Sequence, residues 1–175
     1  TIAYMISKET LNSFNNLAVG DLINIGQGLK VGDTKRFVRS WYEIGYADIK
    51  KNATSLIDSE TAIEKWYPFS NGGEYRKWYG NLSDVVNWQF NGTEVRNFKD
   101  ENGKLRSRLQ NMRYYFQEGL TWSALTSKSL SIRYIPNSVI YGGAGYIINA
   151  EEDLYFYLAL LNSKVPQSII SLLSE

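Results

Sequence analysis

The 175-residue chain contains no cysteine and no histidine. Without cysteine there is no disulfide, no thiolate nucleophile and none of the usual zinc sites. Without histidine the commonest general base is missing, and so is a Ser-His triad. Only three prolines occur, Pro68, Pro136 and Pro166, and no two are adjacent. No apolar run approaches the roughly 20 residues that span a bilayer. The start, Thr1-Ile2-Ala3-Tyr4, lacks the basic-then-apolar order of a secretory signal. A cytoplasmic protein with no membrane partner is therefore expected. A first residue other than Met fits a piece cut from a longer polypeptide.

What is present describes one globular domain over residues 1–175, large enough for a real core, with 43% hydrophobic and 21% charged residues. Aromatic residues make up 14%, including 13 Tyr and 5 Trp, and such rings serve both cores and binding surfaces. Net charge is only +1, but its distribution is uneven. Between Arg96 and Arg113 stand Arg96, Lys99, Lys104, Arg106, Arg108 and Arg113 against Asp100 and Glu101. After Ala150 the sign reverses, with Glu151, Glu152, Asp153 and Glu175 against Lys164. This asymmetry points to one face that meets a polyanion.

Along the chain, residues 1–24 read as a lead-in helix and strand, with Ser7 as N-cap and Leu11, Phe14 and Leu17 at helical spacing. Asp21 to Ile25 and Arg36 to Ile44 are expected strands. Between them lies Gly26-Gln27-Gly28-Leu29-Lys30-Val31-Gly32-Asp33, which matches neither GxGxxG nor the Walker pattern and reads as a glycine turn. Ala53 to Trp66 is helical or mixed, and Val85 to Phe90 is a strand before an Asn91-Gly92 turn. Thr93 to Phe98 starts a short helix, and Asp100 to Asn111 is an exposed basic loop. Short strands follow at 120–125, 131–135, 138–141 and 146–148. Residues 151–175 form closing helices, the first behind a capping box at Asn149 to Glu152. The fold class is α+β: a twisted, mostly antiparallel sheet with flanking helices.

The richest stretch runs from Lys65 to Arg108, where cations alternate with Trp, Tyr, Phe and Gly. Guanidinium groups beside flat rings hold phosphates and read bases. Three segments are the most specific: Gly72-Gly73-Glu74-Tyr75-Arg76-Lys77-Trp78-Tyr79-Gly80, Arg96-Asn97-Phe98 with Gly103-Lys104-Leu105-Arg106-Ser107-Arg108, and Gly119-Leu120-Thr121-Trp122-Ser123. With Asp153-Leu154-Tyr155 and Leu160-Leu161-Asn162-Ser163-Lys164, they resemble the target-recognition domain of adenine-specific DNA methyltransferases of the BREX phage-resistance and type IIG kind. Ile25 to Phe37 also looks like the segment that opens a TaqI-like specificity domain. The first 24 residues carry little of this resemblance.

The resemblance implies a fold like that of TaqI or of type I specificity subunits, with double-stranded DNA as partner. It implies DNA contact by Arg106, Arg108, Arg96 and Arg76, then by Lys77, Lys99, Lys104, Lys30, Lys35 and Arg36. It also implies a parent enzyme whose own methyltransferase domain binds S-adenosylmethionine, with other phage-defence proteins as further partners. Such enzymes carry an Asn-Pro-Pro-Tyr/Phe motif and a Gly-rich cofactor loop, and neither occurs here. This chain is thus expected to hold no cofactor, no metal and no catalytic residue. From the residues alone, a protein-interaction module and a carbohydrate-binding or glycosidase-like domain remain open, since Glu74 and Asp84 could pair in space. A metal-dependent nuclease has little support, because Glu74-Tyr75-Arg76-Lys77 has the wrong spacing.

Overall fold

The computed structural model describes residues 7–16, 18–125, 129–150 and 152–173. In chain order it contains α1 (Lys8–Ser13), α2 (Val19–Leu22), β1 (Asn24–Gln27), α3 (Thr34–Phe37), β2 (Val38–Ser40), α4 (Leu56–Thr61), β3 (Trp66–Ser70) and β4 (Trp78–Tyr79). It continues with β5 (Asp84–Asn87), α5 (Gln89–Arg96), β6 (Gly119–Ser123), β7 (Arg133–Ile135), β8 (Ile140–Tyr141), β9 (Gly145–Asn149), α6 (Leu154–Asn162) and α7 (Lys164–Leu173). The strands make a five-stranded sheet, β1-β9-β6-β7-β4, and a four-stranded sheet, β2-β5-β3-β8. Both are mixed: β4 pairs with β7 and β3 with β8 in parallel, whereas the other described strand pairs are antiparallel. The protein is α+β, as expected, but its strands divide between two mixed sheets in place of one mostly antiparallel sheet. Among the described residues no helix is long and apolar enough to cross a membrane.

Two strands show why the sheets form where they do. In β6, Gly119, Leu120, Thr121 and Ser123 are buried and Trp122 half-buried, so both faces are covered. In β9, consecutive Ile147 and Ile148 are both buried and stand opposite Thr121 and Leu120. One core lies against the four-stranded sheet and joins Phe37, Tyr67, Phe69, Val86, Trp88, Val95, Tyr115, Phe116 and Ile140. A second packs Ile23, Leu120, Ile132 and Ile148 against Leu154, Leu158 and Leu161 of α6. Tyr114, Ile135, Val139, Tyr141 and Ile147 form a third cluster. Among the tryptophans, Trp88 is fully buried, Trp66 and Trp122 are half-buried, and Trp78 is 52% exposed.

Several expected elements are redrawn, each by a local polar contact. Asp21 Oδ2 accepts the Ala18 amide at 2.9 Å, so a helical turn precedes a strand that begins only at Asn24. Asp33 Oδ1 accepts the Arg36 amide at 3.0 Å and caps a single turn of helix. The strand expected over 36–44 therefore shrinks to Val38–Ser40, and the Glu43 carboxylate folds back on the Ser40 amide to close a 3-10 turn at Trp41–Glu43. Ser55 caps α4 by accepting the Asp58 amide. The capping box expected at Asn149 does not form: Asn149 ends β9, and α6 starts behind Asp153 in a left-handed conformation (φ 58°). Leu17, Glu151 and Glu175, which figured in those expectations, lie outside the described residues.

The glycines of the 26–32 segment answer to crowding. A side chain on Gly28 would collide with the Tyr141 carbonyl, and Gly32 has φ +77° with the Arg106 backbone 2.7 Å from its missing Cβ. Buried Asn162 closes the far side. Its Nδ2 donates to the carbonyls of Ile132 (2.9 Å) and Leu158 (3.0 Å), while its Oδ1 accepts the Ile132 amide at 3.0 Å. Asn162→Leu leaves the Ile132 amide without that acceptor, an omission that typically costs about 1–3 kcal/mol. Urea unfolding should show a loss of that size.

Burial pushes the Tyr67 hydroxyl up to about 12, with Glu64 and Asp58 adding to the shift. A phenol raised above its unfolded value of about 10 stabilises the fold fully below that pH and loses the contribution as pH climbs through about 12. The unfolding midpoint should thus fall above about pH 10. Tyr67→Phe should soften that fall without harm at neutral pH, because the Tyr67 hydroxyl makes no hydrogen bond among the described residues.

Candidate nucleic-acid interface

Two segments far apart in sequence meet backbone to backbone. Lys30 and Arg108 exchange both hydrogen bonds, Lys30 N–H to Arg108 C=O at 2.9 Å and Arg108 N–H to Lys30 C=O at 2.8 Å. On either side, Ser107 Oγ donates to the Val31 carbonyl at 2.8 Å and the Leu29 amide donates to the Tyr141 carbonyl at 2.7 Å. Side chains alternate along an extended strip. Leu29 and Val31 accordingly point into the core while Lys30 is exposed.

A hairpin continues the partner strand. Lys99 bridges Leu105, and the Arg106 amide donates to the Phe98 carbonyl at 2.9 Å. Its turn is fixed by Asp100, whose Oδ1 accepts the amides of Asn102 (3.0 Å) and Lys104 (2.9 Å). Gly103 supplies the positive φ of 76° that the turn requires. Phe98 packs edge-on to Phe37 at 5.2 Å, and the Arg36 guanidinium lies over both rings at 5.2 and 5.3 Å. The hairpin is thereby pinned to α3. Lys30, Arg36, Lys99, Lys104, Arg106 and Arg108 all stand on this joined strip, hairpin and α3, with Lys35 beside Arg36, and all seven are exposed.

None of the seven forms an ion pair among the described residues; the two ion pairs found there are Lys50–Glu64 and Lys65–Glu94. The neighbouring carboxylates Asp33 and Asp100 are engaged by backbone amides. Unpaired cations on a rigid backbone leave a positive field above the surface. Beside Lys30 lies a concavity of about 300 Å³ lined by Leu29, Lys30, Val31, Gly32, Thr34, Asn71, Gly143 and Ala144. Among the described residues no carboxylate cluster fit to hold a metal ion occurs.

The other three expected contact residues lie elsewhere. Arg76 is exposed on the loop before β4. Lys77 is half-buried and donates through Nζ to the Asn162 carbonyl at 2.8 Å, tying that loop to the end of α6. Arg96 is half-buried: its Nε and Nη2 donate to the backbone and side-chain oxygens of Asn91 at 2.5 and 2.8 Å, and its guanidinium lies 5.4 Å from the Trp88 ring centre. Burial lowers its pKa. This clamp holds Phe90, Asn91 and Gly92, three consecutive residues with positive φ. One cation was missed by the sequence reading altogether. Arg133 in β7 is fully buried, with Nη2 donating to Ser123 Oγ at 3.2 Å and Nη1 to the Arg76 carbonyl at 3.4 Å. A lone arginine in a strand pattern gives no sign of facing inward.

Comparison with known proteins gives a direction to this geometry. No family model matches the chain. It is 33% identical, over 99% of its length, to the adenine-specific methyltransferase PglX of Lacticaseibacillus casei (strain Zhang). Over 93% of its length it is 32% identical to the adenine-specific methyltransferase BrxX of Escherichia coli O9:H4 (strain HS). The chain is similar to a segment of adenine-specific methyltransferases. It spans only 15% and 13% of the length of these two relatives.

The contrast between Arg96 and the exposed cluster is measurable. Arg96→Ala removes two hydrogen bonds from a charged donor and should destabilise the fold by about 1–3 kcal/mol. Arg108→Ala, an exposed change, should stay within about 0.5 kcal/mol of the parent. Guanidinium titrations of the two variants side by side test this.

Proposed function

We propose that this chain is the DNA target-recognition domain, with a TaqI-like specificity fold, of an adenine-specific DNA methyltransferase of the BREX or type IIG phage-defence kind. The observation that carries the reading is the set of exposed cations Lys30, Arg36, Lys99, Lys104, Arg106 and Arg108 on the joined strip, hairpin and α3, none of them in an ion pair among the described residues. A near-neutral chain has little reason to gather its cations on one rigid strip unless a polyanion covers them. The similarity to adenine-specific methyltransferases over nearly the whole chain supports double-stranded DNA as that polyanion.

In this reading the domain does no chemistry. Residues 1–175 form one recognition unit in the cytoplasm, and the parent's catalytic part binds S-adenosylmethionine and carries out the transfer. Lysines at 30, 35, 99 and 104 fix the register on phosphates, giving affinity without sequence information. Arginine offers two parallel donors that match guanine O6 and N7 in the major groove. Arg106 and Arg108 are best placed for that role, on a hairpin whose turn and root are both hydrogen-bonded. Rigid support of this kind lets base contacts discriminate instead of merely attract. With the duplex held in register, the catalytic part can turn the target adenine out of the stack.

The test uses the intact parent enzyme. Arg106→Ala and Arg108→Ala should each cost about 1–3 kcal/mol on the preferred site and relax the choice of base at one position. Lys99→Ala and Lys104→Ala should weaken every sequence alike and make the salt dependence shallower, by about one unit of slope for each phosphate anchor removed. Genome-wide mapping of methylated adenines, with binding measured at several salt concentrations, reads both effects. Unchanged site choice and unchanged affinity in all four variants would exclude the proposal.

A further inference from the structure

The notch beside Lys30 has a second wall. Asn71 and Ala144 line it, and the carbonyl oxygen of Ala144 lies 2.8 Å from where a side chain on Gly72 would begin. From that wall starts the loop that runs from Gly72 to Asn81 and includes β4. Its backbone is sharply bent: Gly72, Gly73, Trp78, Gly80 and Asn81 have φ of 84°, 109°, 74°, 122° and 58°. Glycine and asparagine enter this region at small cost, but a bulky residue there is an outlier. The Tyr79 amide donates to the Lys77 carbonyl at 2.9 Å, so Trp78 occupies the centre of a γ-turn in its rare, strained, positive-φ form.

Such strain persists only where the surroundings over-determine it, and here they do. Ser123 Oγ donates to the Gly73 carbonyl (2.7 Å), Asn81 Nδ2 to that of Glu74 (2.8 Å), and Arg133 Nη1 to that of Arg76 (3.4 Å). Lys77 Nζ is held by the Asn162 carbonyl, and the Trp78 amide donates to the Ile132 carbonyl at 2.9 Å. The result of this tethering is exposure. Trp78 is 52% and Tyr79 58% exposed, and neither ring stacks on another aromatic ring among the described residues. Two guanidinium groups accompany them: exposed Arg76, whose stem runs against Gly80, and buried Arg133 behind it. Neither makes an ion pair among the described residues. Open rings beside one exposed guanidinium, that of Arg76, suit a ligand with flat faces and phosphates.

We propose that Trp78 and Tyr79 are stacking platforms for unstacked DNA bases, with Arg76 on an adjoining phosphate, forming a second contact that continues the basic surface across the notch. This rests on the recognition function proposed above. It adds a site that reads bases through their faces, where the hairpin arginines read edges.

The test again uses the intact parent, with a duplex oligonucleotide carrying its mapped methylation site. Trp78→Gly removes the ring and suits the positive φ, so the unfolding temperature should hold while DNA affinity falls about tenfold. Tyr79→Ala should act alike, and Trp78→Phe and Tyr79→Phe should retain most of the affinity. Because stacking releases no counterions, the slope of log affinity against log salt should stay that of the parent, unlike the lysine variants. Full affinity in both Trp78→Gly and Tyr79→Ala overturns the stacking proposal. It is equally overturned if these variants bind DNA normally but lose a protein partner. If Arg106→Ala and Arg108→Ala weaken binding while the ring variants do not, the recognition function stands and only the stacking site falls. If neither set has an effect, both fall.

Discussion

Four residues, Gly28 to Val31, hold the molecule's two halves in register. Leu29 bonds to the segment entering the Gly142–Ala144 turn, accepting from the Gly143 amide as well as donating to Tyr141. Lys30 bonds to Arg108 in the opposite direction, and Val31 accepts from Ser107. A slip of one residue would bury Lys30 and expose Leu29, which is 1% accessible in the native register. The crowding at Gly28 and Gly32 limits such a slip, since neither position has room for a side chain. What this strip aligns is functional: cations near residue 30 and cations near residue 106 become neighbours on one rigid surface.

The charge pattern follows from how the carboxylates are used. Asp21, Asp33, Asp58 and Asp100 accept backbone amides at turns and helix starts, and Glu43 does the same at Ser40. Both ion pairs among the described residues sit elsewhere, at Lys50 and Lys65. Those carboxylates keep their charge but form no ion pair with the hairpin cations among the described residues, and the cations there outnumber Asp33, Asp100 and Glu101. A chain of net charge +1 can then present a positive face.

Arginine takes three different roles in this fold. Arg106 and Arg108 are exposed on the hairpin and its root and form no ion pair among the described residues. Arg36 lies over two phenylalanine rings, which orient its guanidinium and leave the residue exposed. Arg96 and Arg133 are structural: one clamps a run of left-handed residues at Asn91, the other holds the Arg76 carbonyl and Ser123 beneath a strained loop. Residue type and local composition do not separate these roles. Arg96 and Arg106 stand in the same basic stretch, and what separates them is that Arg96 follows Trp88 and Val95 into a buried cluster.

The class of protein and the location of its cationic stretch were legible in the order of residues alone. Apolar content, the glycine and asparagine turns, and the charge run between Arg96 and Arg113 are properties of composition and spacing, and local propensity acts on them directly. Legible too, within one or two residues at each end, were the strands expected at 120–125 and 146–148, which form as Gly119–Ser123 and Gly145–Asn149. The 36–44 segment and the start of α6 were misjudged, because there one side chain to backbone bond or one left-handed residue overrides a propensity worth only a few tenths of a kcal/mol. Folding in three dimensions determined which cations share a surface, that Lys77 and Arg96 turn to backbone carbonyls, that Arg133 is buried, and that Trp78 faces outward. The reason is range: each outcome depends on a partner distant in the chain or on packing, and no pattern of neighbouring letters encodes that.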